Sequence, residues 1–327
     1  MTLAVSLPIT GMPLRETVSL VQDATDWGYT SAWSSEVAGP DFASLLGAVA
    51  TGADIDLGVA VAPAQTRSPW LLAATASTLS HLSGGRFSLG VGTSSEMIVE
   101  QWSGLDFDRP LARLRETVEV LRQLMTGERV SYNGDFVRCN GYKLFAAPPA
   151  PVPLLLAALN PKSLRQAGEL GDGVCLNQLA PEHMPMVLDE IRKGAEPAGH
   201  DLEGFEVMAR LFSWVTDDPA AARTSLRRTF APYTAVSGYN RFFSWLGFEE
   251  EMAAVRTAAA EGDREAMRAA LSDAFLDTVC AVGDADTVAA RIAAHREAGV
   301  TVAAIACPAP DAEEARRTLR AVGERLA

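Results

Sequence analysis

Few side chains in this chain of 327 residues are placed to do chemistry, and their types narrow that chemistry at once. Polar residues gather just after short apolar runs: Ser34, Ser35 and Glu36; Thr93, Ser94, Ser95 and Glu96; Asn160, Pro161, Lys162 and Ser163; Asn177 and Gln178. A further run closes on Ala60, Val61, Ala62 and Pro63. Hydroxyls and amides of this kind hydrogen-bond a neutral heterocycle, whereas a metal site needs convergent His, Cys or carboxylate ligands. The four histidines, His81, His183, His200 and His295, lie at none of these run ends, so a Ser-His-acid triad lacks its base. Cys139, Cys175, Cys280 and Cys307 form neither a CxxC pair nor a metal-ligand spacing and read as free, mostly buried thiols.

Several of these positions admit two readings. Glu36 is the one acidic residue directly at the end of the second run; it is a solvated loop carboxylate, or a proton donor and hydrogen-bond partner for a ligand. Asp41 starts the next helix as an N-cap. Asn160-Pro161-Lys162-Ser163 opens a helix with Asn at the N-cap and Pro in the first turn; this is an ordinary capped helix, or one whose free backbone N–H groups hold a phosphate. Ser83-Gly84-Gly85-Arg86 precedes a strand instead of following one and reads as a tight turn. Gly90-x-Gly92 lacks the third glycine of a dinucleotide fingerprint. The aromatic cluster Phe230, Tyr233, Tyr239, Phe242, Phe243, Trp245 and Phe248 is either local core or the wall of an apolar substrate pocket.

The elements that position these residues follow from period. Eight near-continuous apolar runs read as strands: 3–8, 30–33, 55–61, 86–92, 153–159, 173–177, 205–215 and 302–306. Runs without polar alternation suit a parallel sheet covered on both faces. Helical periods separate them; Leu111, Leu114, Val118, Leu121 and Met125 recur at three- and four-residue spacing. Eight strand-then-helix units fit a closed (β/α)8 barrel, the TIM-barrel α/β architecture, and no linker splits the chain, so residues 1–327 read as a single domain. Residues 128–145 carry Asn133-Gly134 between β-prone runs, a small hairpin before the fifth strand. Residues 217–280, after the seventh strand, are too long for a simple crossover and read as inserted helices and a loop.

The runs ATASTLSHLSGGRFSLGVGTSS, VEQWSGLDFDRPLARLRETVEVLRQLMTGERVSYNGDF, PLLLAALNPKSLRQAGELGDGVCLN and VGDADTVAARIAAHREAGVTVAAIA resemble the bacterial luciferase-like superfamily. Within it the chain looks most like the branch that uses the deazaflavin coenzyme F(420). The resemblance implies a flavin or deazaflavin ring at the strand C-termini and a non-prolyl cis peptide at Ala60-Val61 against the back of that ring. It further implies that Thr93, Ser94 and Ser95 lie near the ring and ribityl chain, that Ala158, Leu159, Asn160 and Pro161 form the phosphate turn, and that Asn177 lies near the cofactor. Two departures stand out. Sugar-phosphate dehydrogenases of the family place Asp-His where this chain has Glu36-Val37, and the usual glycine pair of the phosphate turn is here Leu159-Asn160.

The implied activity is hydride transfer between the deazaflavin and a small, largely apolar organic substrate, with Glu36 supplying or accepting the proton. Two alternatives stay open: a reduced-FMN monooxygenase using oxygen, and a non-catalytic flavin-binding barrel or partner subunit. The resemblance also implies a homodimer. A net charge of −13 argues against nucleic-acid and anionic-membrane partners. The absence of a basic run before the first apolar stretch, and of any apolar run of about 20 residues, points to a cytoplasmic protein with neither secretory signal nor membrane span.

Overall fold

The computed structural model describes residues 1–327, in eleven strands. These are β1 (Thr2–Leu7), β2 (Ser31–Ser34), β3 (Asp56–Pro63), β4 (Phe87–Gly92), β5 (Val130–Asn133), β6 (Arg138–Tyr142), β7 (Leu154–Ala157), β8 (Gly173–Asn177), β9 (Glu206–Val215), β10 (Cys280–Gly283) and β11 (Val302–Ala306). Eight of them, β1-β2-β3-β4-β7-β8-β9-β11, pair in parallel, and β11 pairs again with β1, which closes the barrel. The eight apolar runs are these eight strands. Continuous Val, Leu and Ala work here because one face packs on the helical shell and the other fills the barrel. No helix is long and apolar enough to cross a membrane.

Alternate residues point inward. Ala4, Trp33, Leu155, Cys175, Met208, Val302 and Ala304 form a buried cluster separate from the main core between barrel and helices. Trp33 is the largest of them, and its indole N–H donates to Ser31 Oγ at 2.8 Å. A small neighbour makes room for it: a Cβ added to Gly58, its register partner on β3, would stand 2.4 Å from the Trp33 ring. A barrel interior is a packed core, so an indole on one strand requires glycine beside it on the neighbouring strand.

The two interruptions take the expected forms. β5 and β6 make an antiparallel hairpin whose turn is anchored by Glu116, which accepts from the backbone N–H groups of Asp135, Phe136 and Val137 at 2.9, 2.8 and 2.8 Å. Between β9 and β10 run five helices, Pro219–Ala235, Ser237–Trp245, Glu249–Glu261, Arg264–Ala269 and Asp273–Val279, which cap one side of the barrel mouth.

β10 was not expected. Its four residues, CAVG, are too few to register as a strand by period. β9 is ten residues long, and its two halves do different work. Its lower half pairs with β8 as far as Asn177 opposite Arg210, and its upper half pairs with β10 from Cys280 opposite Phe212. Phe212 also pairs with Ala306 of β11, so β10 occupies the other flank, in the row where β8 has stopped.

Candidate functional site

The inward layer nearest the C-terminal ends of the strands holds the groups of interest. Alternation from Ala4, Cys175 and Met208 of the buried cluster places Ser6, Asn177 and Arg210 inward, one layer higher. Around them stand Gly92, Ala157 and the end of β3. The pairing of β3 with β4 skips between Val59 and Ala62, and the Ala60-Val61 peptide within that bulge is cis. This is the position that the resemblance singled out.

Arg210 donates from Nε to Ser6 Oγ at 3.1 Å, and its guanidinium carbon lies 4.7 Å from the centre of the Phe212 ring. Asn177 Nδ2 donates to the Tyr239 hydroxyl oxygen at 2.8 Å, tying the cap helix Ser237–Trp245 to the end of β8. Burial pushes the Tyr239 hydroxyl pKa up, while the Asn177 bond and the Arg210 charge act the other way without cancelling it. The hydroxyl is therefore protonated at neutral pH, and its hydrogen binds no atom of the chain. The rest of the aromatic cluster is chiefly core: Phe230, Phe242 and Phe243 are fully buried, and Phe243 and Phe248 pack edge-on against Phe275 at 4.9 and 5.2 Å. Tyr239 alone of the seven bonds a strand-end side chain.

Glu36 is half-buried beside β2, and both of its oxygens are engaged. Arg67 Nε donates to one at 2.7 Å and Arg67 Nη2 to the other at 2.6 Å. The same guanidinium bonds Asp41 and lies 4.8 Å from the Phe42 ring centre. Asp41 caps the helix Phe42–Gly52 through the Ser44 N–H, as expected. Burial would raise the Asp41 pKa, but the Ser44 bonds and Arg67 outweigh it and hold the carboxyl below its ordinary value. With both oxygens taken by Arg67, Glu36 ties the loop after β2 to the loop after β3, a positioning role beside the proton-transfer role expected of it.

The remaining expected residues stand as follows. Thr93, Ser94 and Ser95 are half-buried at the end of β4; Ser94 takes a left-handed conformation at φ 62°, and Ser95 Oγ accepts from Ile98 N at 3.4 Å at the start of the π-helical turn Met97–Trp102. Ala158, Leu159, Asn160 and Pro161 form the turn from β7 into the helix Pro161–Leu170. The expectation of free amides there needs correction. Asn160 Oδ1 accepts from Ser163 N at 3.2 Å, and Ser163 Oγ accepts from the N–H groups of Leu159 and Asn160 at 3.2 and 3.1 Å. Serine at the third position folds back to complete a capping box, so an anion would compete with the chain's own cap.

Sequence reasoning missed Ser6, Arg67, Arg210, Gln65 and Tyr239's link to the strand ends, and it placed Gln178 at its strand end without a role. Gln65, just past the β3 bulge, and Gln178, at φ 55° just past β8, have both amide atoms buried without a partner, as is Asn177 Oδ1. Arg210 left one signal: it is the single charge in the interior of an otherwise apolar strand. Buried amide atoms are almost always hydrogen-bonded in native proteins, and a set left open around one mouth is the mark of a ligand that completes them.

The same architecture occurs in known proteins. The coenzyme F(420)-dependent tetrahydromethanopterin reductase of Methanopyrus kandleri superposes with a TM-score of 0.78 at 21% identity, covering 99% of this chain and 97% of that one. A coenzyme F(420)-dependent secondary alcohol dehydrogenase superposes at 0.79 and 19%, covering 98% of both chains. In sequence, the 5,10-methylenetetrahydromethanopterin reductase of Archaeoglobus fulgidus is 31% identical over 276 residues, 83% of this chain and 82% of the relative. A putative coenzyme F(420)-dependent oxidoreductase of Mycobacterium tuberculosis is 29% identical over 330 aligned positions, 93% of each. The family model described as luciferase-like monooxygenase matches residues 1–302, and the chain belongs to that family.

Proposed function

We propose that the chain is an oxidoreductase that moves a hydride between the deazaflavin coenzyme F(420) and a small organic substrate at the barrel mouth. The observation that carries this is the set of buried, unpartnered amide atoms on Gln65, Asn177 and Gln178 around the β3 bulge and the β8 end. The edge of a flavin or deazaflavin ring alternates N–H and C=O groups, and amides can both donate to and accept from it. The names of the sequence relatives support the deazaflavin over FMN.

When bound, the cofactor supplies or takes a hydride. Ala60, Val61, Thr93, Ser94, Ser95 and Asn177 would hold its ring end, and Ala158, Leu159, Asn160 and Pro161 the phosphate end, where an anion would take the Leu159 and Asn160 N–H groups from Ser163 Oγ. Glu36, clamped by Arg67, keeps the β2 and β3 loops in register beside it. The helices after β9 exclude water from the mouth, which strengthens every polar interaction within. A cytoplasmic setting accords with four unpaired thiols. Equilibrium binding of the deazaflavin and FMN side by side tests the reading. Selective binding of the deazaflavin is expected; selective FMN binding with oxygen consumption by the reduced flavin overturns it.

A further inference from the structure

A guanidinium stands at the mouth without a counter-ion. Every ion pair in the structure involves another residue than Arg210, whose Nη groups bond no atom of the chain. Leaving a half-buried cation unpaired is costly, more so than exposing it, unless a ligand supplies the opposite charge. The neighbouring donors are uncommitted as well. The Ser6 hydroxyl accepts from Arg210 and keeps its own hydrogen, and the Tyr239 hydroxyl accepts from Asn177 and keeps its own.

The ring order says which ligand this faces. Around the closed barrel β9 stands four strands from β3 in either direction, through β4, β7 and β8 or through β2, β1 and β11. Arg210 is therefore diametrically across the mouth from the Ala60-Val61 bulge. A cofactor ring held at that bulge would leave the opposite side of the mouth, lined by Arg210 and Tyr239, for the substrate.

We propose that Arg210, Tyr239 and Ser6 form the subsite for a carboxylate on the substrate, which is thus a small acid with an apolar body. The inference rests on the reading of the mouth as a hydride-transfer site. Two oxygens can take the forked Nη donors while one of them accepts from Tyr239, the pairing that guanidinium geometry favours. The phenyl ring of Phe212, one alternation further along β9 and 4.7 Å from the guanidinium carbon, begins the apolar wall for the rest of the molecule.

The test measures binding to the deazaflavin-loaded chain, with benzoate as the probe and benzamide as its neutral counterpart. Benzoate is expected to bind more tightly than benzamide. Arg210→Met is expected to lower benzoate affinity about 10- to 100-fold, the range of one or more charge-assisted hydrogen bonds, and to abolish the preference. Arg210→Lys retains the preference, and Arg210→Gln replaces the Met variant if that one fails to fold. Tyr239→Phe lowers benzoate affinity about three- to tenfold and leaves benzamide unchanged. Equal binding of the two probes, unchanged benzoate affinity in Arg210→Met, or loss of deazaflavin affinity in place of benzoate affinity overturns the proposal. A chain that binds benzoate through Arg210 but takes no deazaflavin overturns the proposed function alone.

Discussion

Glu206 lies at the closed end of the barrel, opposite Gly173 of β8, with one carboxyl oxygen buried and unpartnered. Burial, aided by the negative charge of Asp56, pushes its pKa from 4.5 to about 7. A carboxyl raised in the folded state stabilises the fold only while protonated: its contribution is whole below pH 4.5 and is lost as the pH climbs through 7. The shift of 7 − 4.5, at 1.36 kcal/mol per unit, is worth about 3 kcal/mol. Glu206→Gln keeps the shape and removes the charge. Urea unfolding of both proteins at about pH 4 and pH 8 should show near-equal stability in acid and an advantage of about 2–3 kcal/mol for the variant in base. Other titrating groups cancel in the difference. A gain of the same size at both pH values, or a loss at pH 8, would refute the reasoning, the latter by showing that the ionised carboxylate has a partner.

Gly58→Ala should cost about 1–3 kcal/mol, because the new methyl meets the Trp33 ring; Trp33→Leu in the same chain should recover part of that loss, and strictly additive costs would count against the contact. Glu116→Ala should speed hydrogen exchange at Asp135, Phe136 and Val137 and destabilise by about 2–3 kcal/mol, with protection elsewhere unchanged. Arg67→Met strands the carboxylates of Glu36 and Asp41, so unfolding at neutral pH should fall by about 1–3 kcal/mol. Asp41, whose pKa is lowered by folding, contributes above its ordinary value of 3.8 and loses that contribution as the pH falls through its folded value, so the gap between variant and parent should narrow in acid.

The barrel was legible because a strand buried on both faces has no choice but a continuous apolar run, and the hairpin because Asn133-Gly134 breaks two β-prone runs, although the turn itself forms one step on, over Gly134–Val137, with Asn133 still paired to Arg138. β10 was illegible for the converse reason: four residues carry no period, and only the length of β9 calls for them. At the mouth, Thr93 and Asn177 follow their strands directly and could be found by position. Glu36 could be found, but not its occupation, since Arg67 arrives from 31 residues away. Ser6 and Arg210 meet across 204 residues, a proximity that barrel closure creates and no local pattern encodes.

The excursion between β9 and β10 leaves β9 at Val215 and re-enters the sheet at Cys280, opposite Phe212; β10 then runs beside β9 up to Gly283, the register partner of Val215, and Thr216 N donates to the Gly283 carbonyl at 2.9 Å. Departure and return share one stitched seam above the rim, while the eight-strand closure lies below it. Exchanging what lies between the two ends for a shorter or longer segment alters loop-closure entropy only slowly with length, and gives up the Asn177–Tyr239 hydrogen bond to β8. The roof is in this sense a cassette, held to the sheet at Val215 and Cys280 and joined to the end of β8 through Tyr239 and Asn177.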